Sequence, residues 1–229
     1  MNLVKINWRQ AAPEFVIIVV GVLAALAVGQ WADYRNDRES EVEYLDRLRV
    51  DLRADIQNFT RFERVFETKA RIIQDLLDQS VPALLSRNPE ELMQDLEYSG
   101  YTALPANQSA TYDELLSTGR LALVQNVALI DALSHYYKDF ELIAGILFKP
   151  IGDYRLLLYE SMPGMLIYEW RLSRTINNPD ELRRGLEILQ STPGLESAAN
   201  VEIRYSAALI YYLRQFRQEA EELLNLLDK

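Results

Sequence analysis

The chain of 229 residues has no cysteine and only one histidine. Without cysteine it forms no disulfide, no thiolate zinc site, no iron–sulfur cluster and no cysteine nucleophile. A single histidine excludes every metal site that is built from two or more histidines. Glycine-rich phosphate loops, the G-x-S-x-G turn and the H-E-x-x-H motif are also missing. We therefore expect no catalytic residues, no cofactor and no resident metal.

Basic residues are in the minority. Lysine and arginine number 24 against 34 aspartate and glutamate residues, and the formal net charge at pH 7 is −10. A nucleic-acid partner needs a clustered basic surface, so the charge balance argues against a nucleic-acid-binding protein. The same balance argues against a globular domain that binds anionic lipid.

One long run without charge stands near the N-terminus. Residues 15–32 read FVIIVVGVLAALAVGQWA, and Glu14 and Asp33 bracket them. Eighteen helical residues span about 27 Å, close to the hydrocarbon thickness of a bilayer. Apolar residues lie all around this helix, so it is not an amphipathic surface helix. We predict a transmembrane helix at 14–32 with the lipid bilayer as its partner, preceded by a short flank at 1–13.

Two tryptophans flank this segment. Trp31 stands where an interfacial aromatic side chain is expected, and Trp8 is predicted to mark the other membrane interface. A cleaved signal peptide is the alternative, because Ala25-Leu26-Ala27 resembles a cleavage site. No helix breaker separates the apolar run from the charged stretch that follows, which favours an uncleaved anchor.

Small residues recur at every fourth position of the apolar run. Gly21, Ala25 and Gly29 form a strip on one helix face, and such a strip lets helix backbones approach closely in lipid. The alternative is that glycine and alanine are simply common in membrane helices. The strip predicts transmembrane helix packing in a homo-oligomer.

No glycine or proline occurs between Gly29 and Pro82. This absence of breakers predicts one long amphipathic helix over 33–81. An apolar residue recurs every seventh position, at Leu45, Leu52, Phe59, Phe66 and Ile73. The pattern suits a coiled coil between subunits or a helix packed on its own domain. Charges at companion positions such as Asp55 and Glu63 favour packing within the domain for the distal half.

Residues 82–229 are predicted to form a helical bundle domain that packs with the long helix. Asn88-Pro89 and Asn178-Pro179 each read as a helix cap followed by a proline in the first turn. Residues 99–110 read as a loop, and the last helix is predicted to begin after Pro193-Gly194. Its apolar face is predicted to contain Val201, Tyr205, Ala208, Tyr212, Phe216, Leu223 and Leu227. No alternating β pattern appears, so the fold class is all-α.

Two stretches of the sequence resemble an uncharacterised family of bacterial single-span membrane proteins, a domain-of-unknown-function family. The first stretch carries Glu14, Gly21, Trp31 and Arg35 at the family's spacing. The second runs ATYDELLSTGRL from Ala110 and is followed by Tyr136-Tyr137. The chain departs from the family near the end of the span, where Ala27 and Gly29 replace polar amides. The resemblance implies this architecture and assigns no activity.

The second stretch has a structural and a functional interpretation. Thr111 followed by Glu114 reads as a capping box, and Gly119 suits the left-handed residue that ends a helix. The functional hypothesis is that Tyr112 and Asp113 contact a partner protein. Another membrane protein is one candidate for that partner. Ser117 has no basic residue nearby in sequence that would activate it as a nucleophile.

The single histidine lies among carboxylates. Asp131, His135 and Asp139 are four residues apart, so all three share one helix face. They read as a metal site or, more simply, as a surface histidine with acidic neighbours; we favour the second interpretation because a zinc site needs more ligands.

Taken together, the sequence predicts a non-enzymatic, membrane-anchored helical module that self-associates as a scaffold or accessory subunit. A single-span ligand-sensing domain that acts through a partner protein is the alternative, and an unrecognised hydrolase or metalloenzyme ranks third. The expected location is the bacterial inner membrane. Lys5 and Arg9 before the span nearly balance the arginines after it, and the short N-terminal tail favours a periplasmic domain.

Overall fold

The structure is a computed structural model that describes residues 8–101, 105–147, 152–162 and 179–228, with side chains from residue 15 onward in these ranges. All regular elements in these ranges are helices. They are α1 Trp8–Asp78, α2 Val81–Leu85, α3 Pro89–Ser99, α4 Ala110–Ser117, a 3₁₀ helix Arg120–Leu123, α5 Val127–Leu147, α6 Asp153–Ser161, α7 Pro179–Ser191 and α8 Leu195–Leu227. The predicted all-α class, with a long N-terminal helix followed by further helices, is confirmed.

Helix α1 is 71 residues long and is continuous through the apolar run. It ends at Asp78, shortly before Pro82, as the absence of breakers predicts. An 18-residue window in it has a mean hydropathy of 2.4, and none of that window is buried by the rest of the described chain. This helix is therefore a candidate membrane span.

Local signals place several helix ends as predicted. The Asn88 Oδ1 atom accepts hydrogen bonds from the backbone N–H groups of Glu90, at 2.9 Å, and Glu91, at 3.2 Å, and Pro89 follows as the first helical residue. Helix α8 begins after Gly194, whose φ is 88°. Of the predicted 99–110 loop, residues 100–101 and 105–109 lie outside helices, whereas Ser99 ends α3 and Ala110 begins α4. The predicted cap at Asn178 lies outside the described residues.

The chain divides into two compact units. The first unit comprises Met1–Leu48 and Ala110–Val127, and the second comprises Arg49–Ser109 and Ala128–Lys229. The boundary between the two units falls inside α1. The sequence instead predicts boundaries at residues 33 and 82, and those boundaries stay a prediction.

Polar contacts hold the two segments of the first unit together. Arg38 in α1 donates to the Leu123 carbonyl at 2.9 Å, and the Gln125 backbone N–H donates to Glu41 at 2.7 Å. The segment that carries α4 and the 3₁₀ helix is thus fastened to α1 at its far end by two long-range hydrogen bonds.

In the second unit, the distal half of α1 packs against α5 and α8 through aromatic rings. The Phe59 ring stacks on Phe140 with centroids 5.5 Å apart, and Phe216 meets Phe140 edge-on at 5.1 Å. Four of the five heptad residues are buried, which are Leu52, Phe59, Phe66 and Ile73. The distal half of α1 thus packs against other helices of the second unit, and a coiled coil between subunits is not needed to bury these four residues.

Beyond these aromatic rings, toward the C-terminal end of α1, the core of the second unit is mainly aliphatic. It includes residues of α2, α3, α6, α7 and α8. Its most buried members include Ile73, Leu84, Leu96, Leu158, Leu186, Leu189 and Ala199. Gly185 in α7 lies so close to Met162 that a β-carbon there would come within 2.6 Å of the Met162 Cγ atom. The glycine therefore permits close packing at this point.

The predicted buried face of α8 was partly wrong. Phe216, Leu223 and Leu227 are buried as expected, but Val201 is 54% exposed. Glu202 and Ser206 are buried instead. Glu202 is buried because it pairs with Lys69 in the core, so the buried face of α8 here includes a charged residue that an apolar pattern does not reveal.

Candidate functional site

A cluster of polar side chains joins α4 to α1 in the first unit. The Glu114 carboxylate accepts a hydrogen bond from the Tyr44 hydroxyl at 2.7 Å and one from the Arg47 guanidinium at 2.6 Å. Arg120 donates to the Tyr44 hydroxyl oxygen at 2.6 Å. We call Tyr44, Arg47, Glu114 and Arg120 the Glu114 cluster.

Local geometry explains how these four residues meet. Tyr44 and Arg47 are three residues apart, so they share one face of α1. Gly119 adopts the left-handed conformation with a φ of 71°, as predicted, and ends α4. The chain then turns into the 3₁₀ helix, where Arg120 is the first residue. Because α4 and this short helix fold back together, Glu114 and Arg120 both reach Tyr44.

The cluster keeps the Glu114 carboxylate ionised. The hydrogen bond from Arg47, followed by the one from Tyr44, lowers the pKa of Glu114. The hydrogen bond to Glu114 raises the pKa of Arg47, and the hydrogen bond to the Tyr44 hydroxyl raises the pKa of Arg120. Both guanidinium groups also lie over the buried Tyr44 ring, at 5.3 and 5.8 Å from its centroid. A carboxylate with a lowered pKa is a poor general base near neutral pH, so this arrangement suits a structural clasp.

The capping-box prediction for Thr111 and Glu114 is wrong. Helix α4 begins at Ala110, so Thr111 lies inside the helix and not at its N-terminal cap. The Thr111 side chain is also buried. The Glu114 side chain does not cap the N-terminus of α4, because Tyr44 and Arg47 bind its carboxylate. The sequence pattern cannot reveal this competition, since both partners lie about 70 residues earlier in the chain.

The two residues that were predicted to contact a partner differ in exposure. Tyr112 is only 4% exposed, whereas Asp113 lies at the surface. The structure thus places only Asp113 where a partner has access, and the contact itself stays a prediction. The Ser117 hydroxyl donates to the Glu114 carbonyl at 3.2 Å, which is a local helix-end contact.

The residues predicted for membrane packing lie on the exposed surface of α1. Within the described part of the chain, no atom outside the helix comes within 4 Å of where a β-carbon would stand on Gly21 or Gly29. Ala25 is exposed as well, and Trp31 is 63% exposed. Trp8 belongs to α1, but its side chain lies outside the described residues. The strip is open to lipid or to another helix, and its role stays a prediction.

His135 lies on the surface of α5. Its side chain is 73% exposed, and its Nε2 atom is 3.1 Å from the Asp139 carboxylate. Within the ranges that the structure describes, no group of three or more histidine, aspartate and glutamate residues could hold a metal ion. The geometry agrees with the simpler interpretation of a surface histidine beside an acidic neighbour.

Sequence reasoning missed an ion pair in the core of the second unit. Lys69 in α1 donates to Glu202 in α8 and to the Tyr101 carbonyl, and both charged side chains are buried. One signal was present in the sequence. Lys69 falls at helical spacing among Phe62, Phe66 and Ile73, and a lysine on an apolar face requires a buried partner.

Asp55 is a second buried acidic residue, and no cationic side chain pairs with it among the residues that the structure describes. Its carboxylate accepts from the Tyr136 hydroxyl and from the Gln108 backbone N–H, each at 2.7 Å. Burial raises the pKa of Asp55 to about 6, the two hydrogen bonds oppose this change, and the neighbouring Asp51 adds to it. The sequence marked Asp55 only as a charge that disfavours a coiled coil, whereas it links α1, a loop and α5.

No curated protein and no solved structure matches this chain. One family model matches residues 14–149, which begin at Glu14 and contain α1 from that residue onward, the Glu114 cluster and α5. This match covers more than half of the chain. The protein therefore belongs to a family of unknown function, DUF6090.

Proposed function

We propose that this protein is a non-enzymatic, membrane-anchored helical module that self-associates and serves as a scaffold or accessory subunit of a membrane assembly. The observation that carries the proposal is the exposed apolar surface of α1. Nine large apolar side chains between Phe15 and Val28 are each more than half exposed in the isolated chain. Exposure of such an apolar surface to water is unfavourable, and lipid together with a second copy of the helix would bury it.

The Glu114 cluster supports a structural role for the part of the chain that follows the span. Tyr44 stands twelve residues after Ala32, which corresponds to about 18 Å of helix. At this point Glu114 of α4 accepts hydrogen bonds from Tyr44 and Arg47 of α1, and these contacts hold α4 to α1. A rigid start to the module outside the membrane is what a scaffold requires, because flexibility here would uncouple the anchor from its domain.

The proposed location is the bacterial inner membrane, with one span and the globular part in the periplasm. The resemblance to bacterial single-span proteins and the positive charges of Lys5 and Arg9 before the span support this assignment. An alkaline phosphatase fused to the C-terminus should be active, and a cytoplasmic fluorescent reporter at the same position should stay dark. The opposite pair of results would place the domain in the cytoplasm.

Size measurement of the full chain in mild detergent tests the self-associating anchor. We expect an oligomer by light scattering after correction for bound detergent, and we expect the protein to stay with membranes during alkaline carbonate washing. A monomer over a tenfold range of protein-to-detergent ratio would contradict self-association. Release by carbonate would contradict the membrane span itself, so the two failures are distinguishable.

A ligand-sensing domain that acts through a partner protein remains the second candidate. The observation in its favour is an open groove in the second unit that contains two arginines and no acidic residue. A sensor would show a ligand-dependent change in oligomer size or in crosslinking to its partner, whereas a pure scaffold would not.

A further inference from the structure

An open groove of about 500 Å³ runs along α1 in the second unit. Its walls are Ile56, Gln57, Thr60, Arg61, Arg64, Val65, Thr68 and Tyr98. Seven of these residues come from successive turns of α1, and Tyr98 closes the groove from α3. We propose that this groove binds a small phosphomonoester that carries an apolar or aromatic group.

The charge of the groove is the first argument. Among the residues that the structure describes, neither Arg61 nor Arg64 has a carboxylate partner, although acidic residues outnumber basic ones in the chain. Arg61 donates to the Asn58 side-chain oxygen at 3.2 Å and lies over the Phe62 ring. Two guanidinium groups without a counter-charge complement a phosphomonoester, which carries a charge of about −2 at neutral pH.

A second groove of the same unit provides a contrast. It contains Arg214, and its open volume is about 600 Å³. Glu63 and Glu67 bind this guanidinium at 2.6 and 2.7 Å, so its charge is already neutralised. The arginine of the second groove is thus paired with carboxylates, whereas, within the described ranges of the chain, Arg61 and Arg64 of the first groove are not.

The neutral residues of the groove suit the rest of such a ligand. Gln57, Thr68 and the Tyr98 hydroxyl are polar groups, and no hydrogen bond of their side chains occurs within the described part of the chain. Ile56, Val65 and the Tyr98 ring offer apolar contact to a group attached to the phosphate. Arginine binds carboxylate and phosphate oxygens alike through paired N–H donors, so it is the double charge of a phosphomonoester, matched to two guanidinium groups, that favours it over a singly charged carboxylate.

Calorimetric titration of the full chain in detergent micelles with phenyl phosphate tests the proposal. We expect saturable binding to one site per chain, and weaker binding of inorganic phosphate, which lacks the apolar part. Arg64→Gln should weaken the binding of phenyl phosphate by about tenfold or more. Thermal unfolding by circular dichroism should be unchanged in this variant, since the Arg64 side chain is exposed.

Arg53→Gln is the matched control. It removes an exposed positive charge from the same helix, outside the groove, and should change the affinity by less than about twofold because distant exposed charges are screened. Absence of saturable binding to the wild type, or equal weakening in the two variants, would overturn the proposal. Equal affinity for inorganic phosphate and phenyl phosphate would overturn the apolar subsite.

Discussion

Lys69 in α1 and Glu202 in α8 form an ion pair inside the second unit, although 133 residues separate them in the sequence. Neither side chain is more than 3% exposed. Lys69 stands between the aromatic residues of α1, which end at Phe66, and the aliphatic residues that start at Ile72. The pair therefore joins two helices at the point where the two parts of the core meet.

We expect Lys69→Met to lower the free energy of unfolding by about 3–5 kcal/mol, because it leaves the Glu202 carboxylate buried without a cation. The double variant Lys69→Met, Glu202→Leu should recover most of this loss, since an apolar pair of similar volume needs no desolvation of charge. Chemical denaturation of the full chain in micelles, followed by circular dichroism, measures both effects.

The exposed Arg214 provides the control for that experiment. Arg214→Gln removes ion pairs to Glu63 and Glu67 on the surface and should cost less than about 1 kcal/mol. If Lys69→Met costs no more than Arg214→Gln, the buried pair does not stabilise the fold in the way that its geometry indicates.

The pH dependence of stability should contain a contribution from Asp55. Its pKa in the folded protein, about 6, lies above the ordinary value of 3.8, so the folded state holds this proton more tightly than the unfolded state. The stabilisation is complete below pH 3.8 and is lost as the pH rises through 6. The difference amounts to about 3 kcal/mol for this size of shift.

Asp55→Asn isolates that contribution, because the amide cannot ionise. We expect the variant to be more stable than the wild type at pH 7.5, and we expect this advantage to shrink as the pH falls through 6. Asp37→Asn removes the same charge from an exposed position of α1 and serves as the control. A constant difference between Asp55→Asn and the wild type from pH 4 to 7.5 would contradict the buried, ionisable state of Asp55.

The Glu114 cluster should control the mobility of residues 110–127. Glu114→Gln weakens the contact with Arg47 by removing the negative charge, so backbone amides in this segment should exchange hydrogen faster. Hydrogen exchange with mass spectrometry on the full chain measures this. Asp37→Asn removes a charge from an exposed residue of α1 outside the cluster and should leave the segment unchanged. Equal protection in all three proteins would show that the clasp is dispensable.

The strip of small residues should hold the proposed oligomer. Gly21→Leu with Gly29→Leu introduces bulk on one face of α1 and should convert the oligomer in detergent to a smaller species, because close approach of helices in lipid depends on packing. Ala27→Leu is the control; this residue lies two positions from both Ala25 and Gly29, about 200° around the helix. An unchanged oligomer in the double variant would place the interface elsewhere.

The sequence alone determined the features that depend on neighbours along the chain. The absence of glycine and proline after Gly29 predicts the continuous α1, because a helix is propagated by hydrogen bonds between residues four apart. Asn88 caps α3 through the next two backbone N–H groups, and Gly119 adopts the left-handed conformation that a side chain disfavours. Each of these outcomes is decided within a few residues.

Only the tertiary structure decided which polar residues are buried and what they bind. Glu114 reads as part of a local cap, yet its partners are Tyr44 and Arg47, and Glu202 reads as a surface residue until Lys69 is placed opposite it. The groove at Arg64 likewise exists only because α3 brings Tyr98 beside α1. A charge is stable in a core only when a distant segment supplies its partner, and sequence periodicity contains no information about which segment that is.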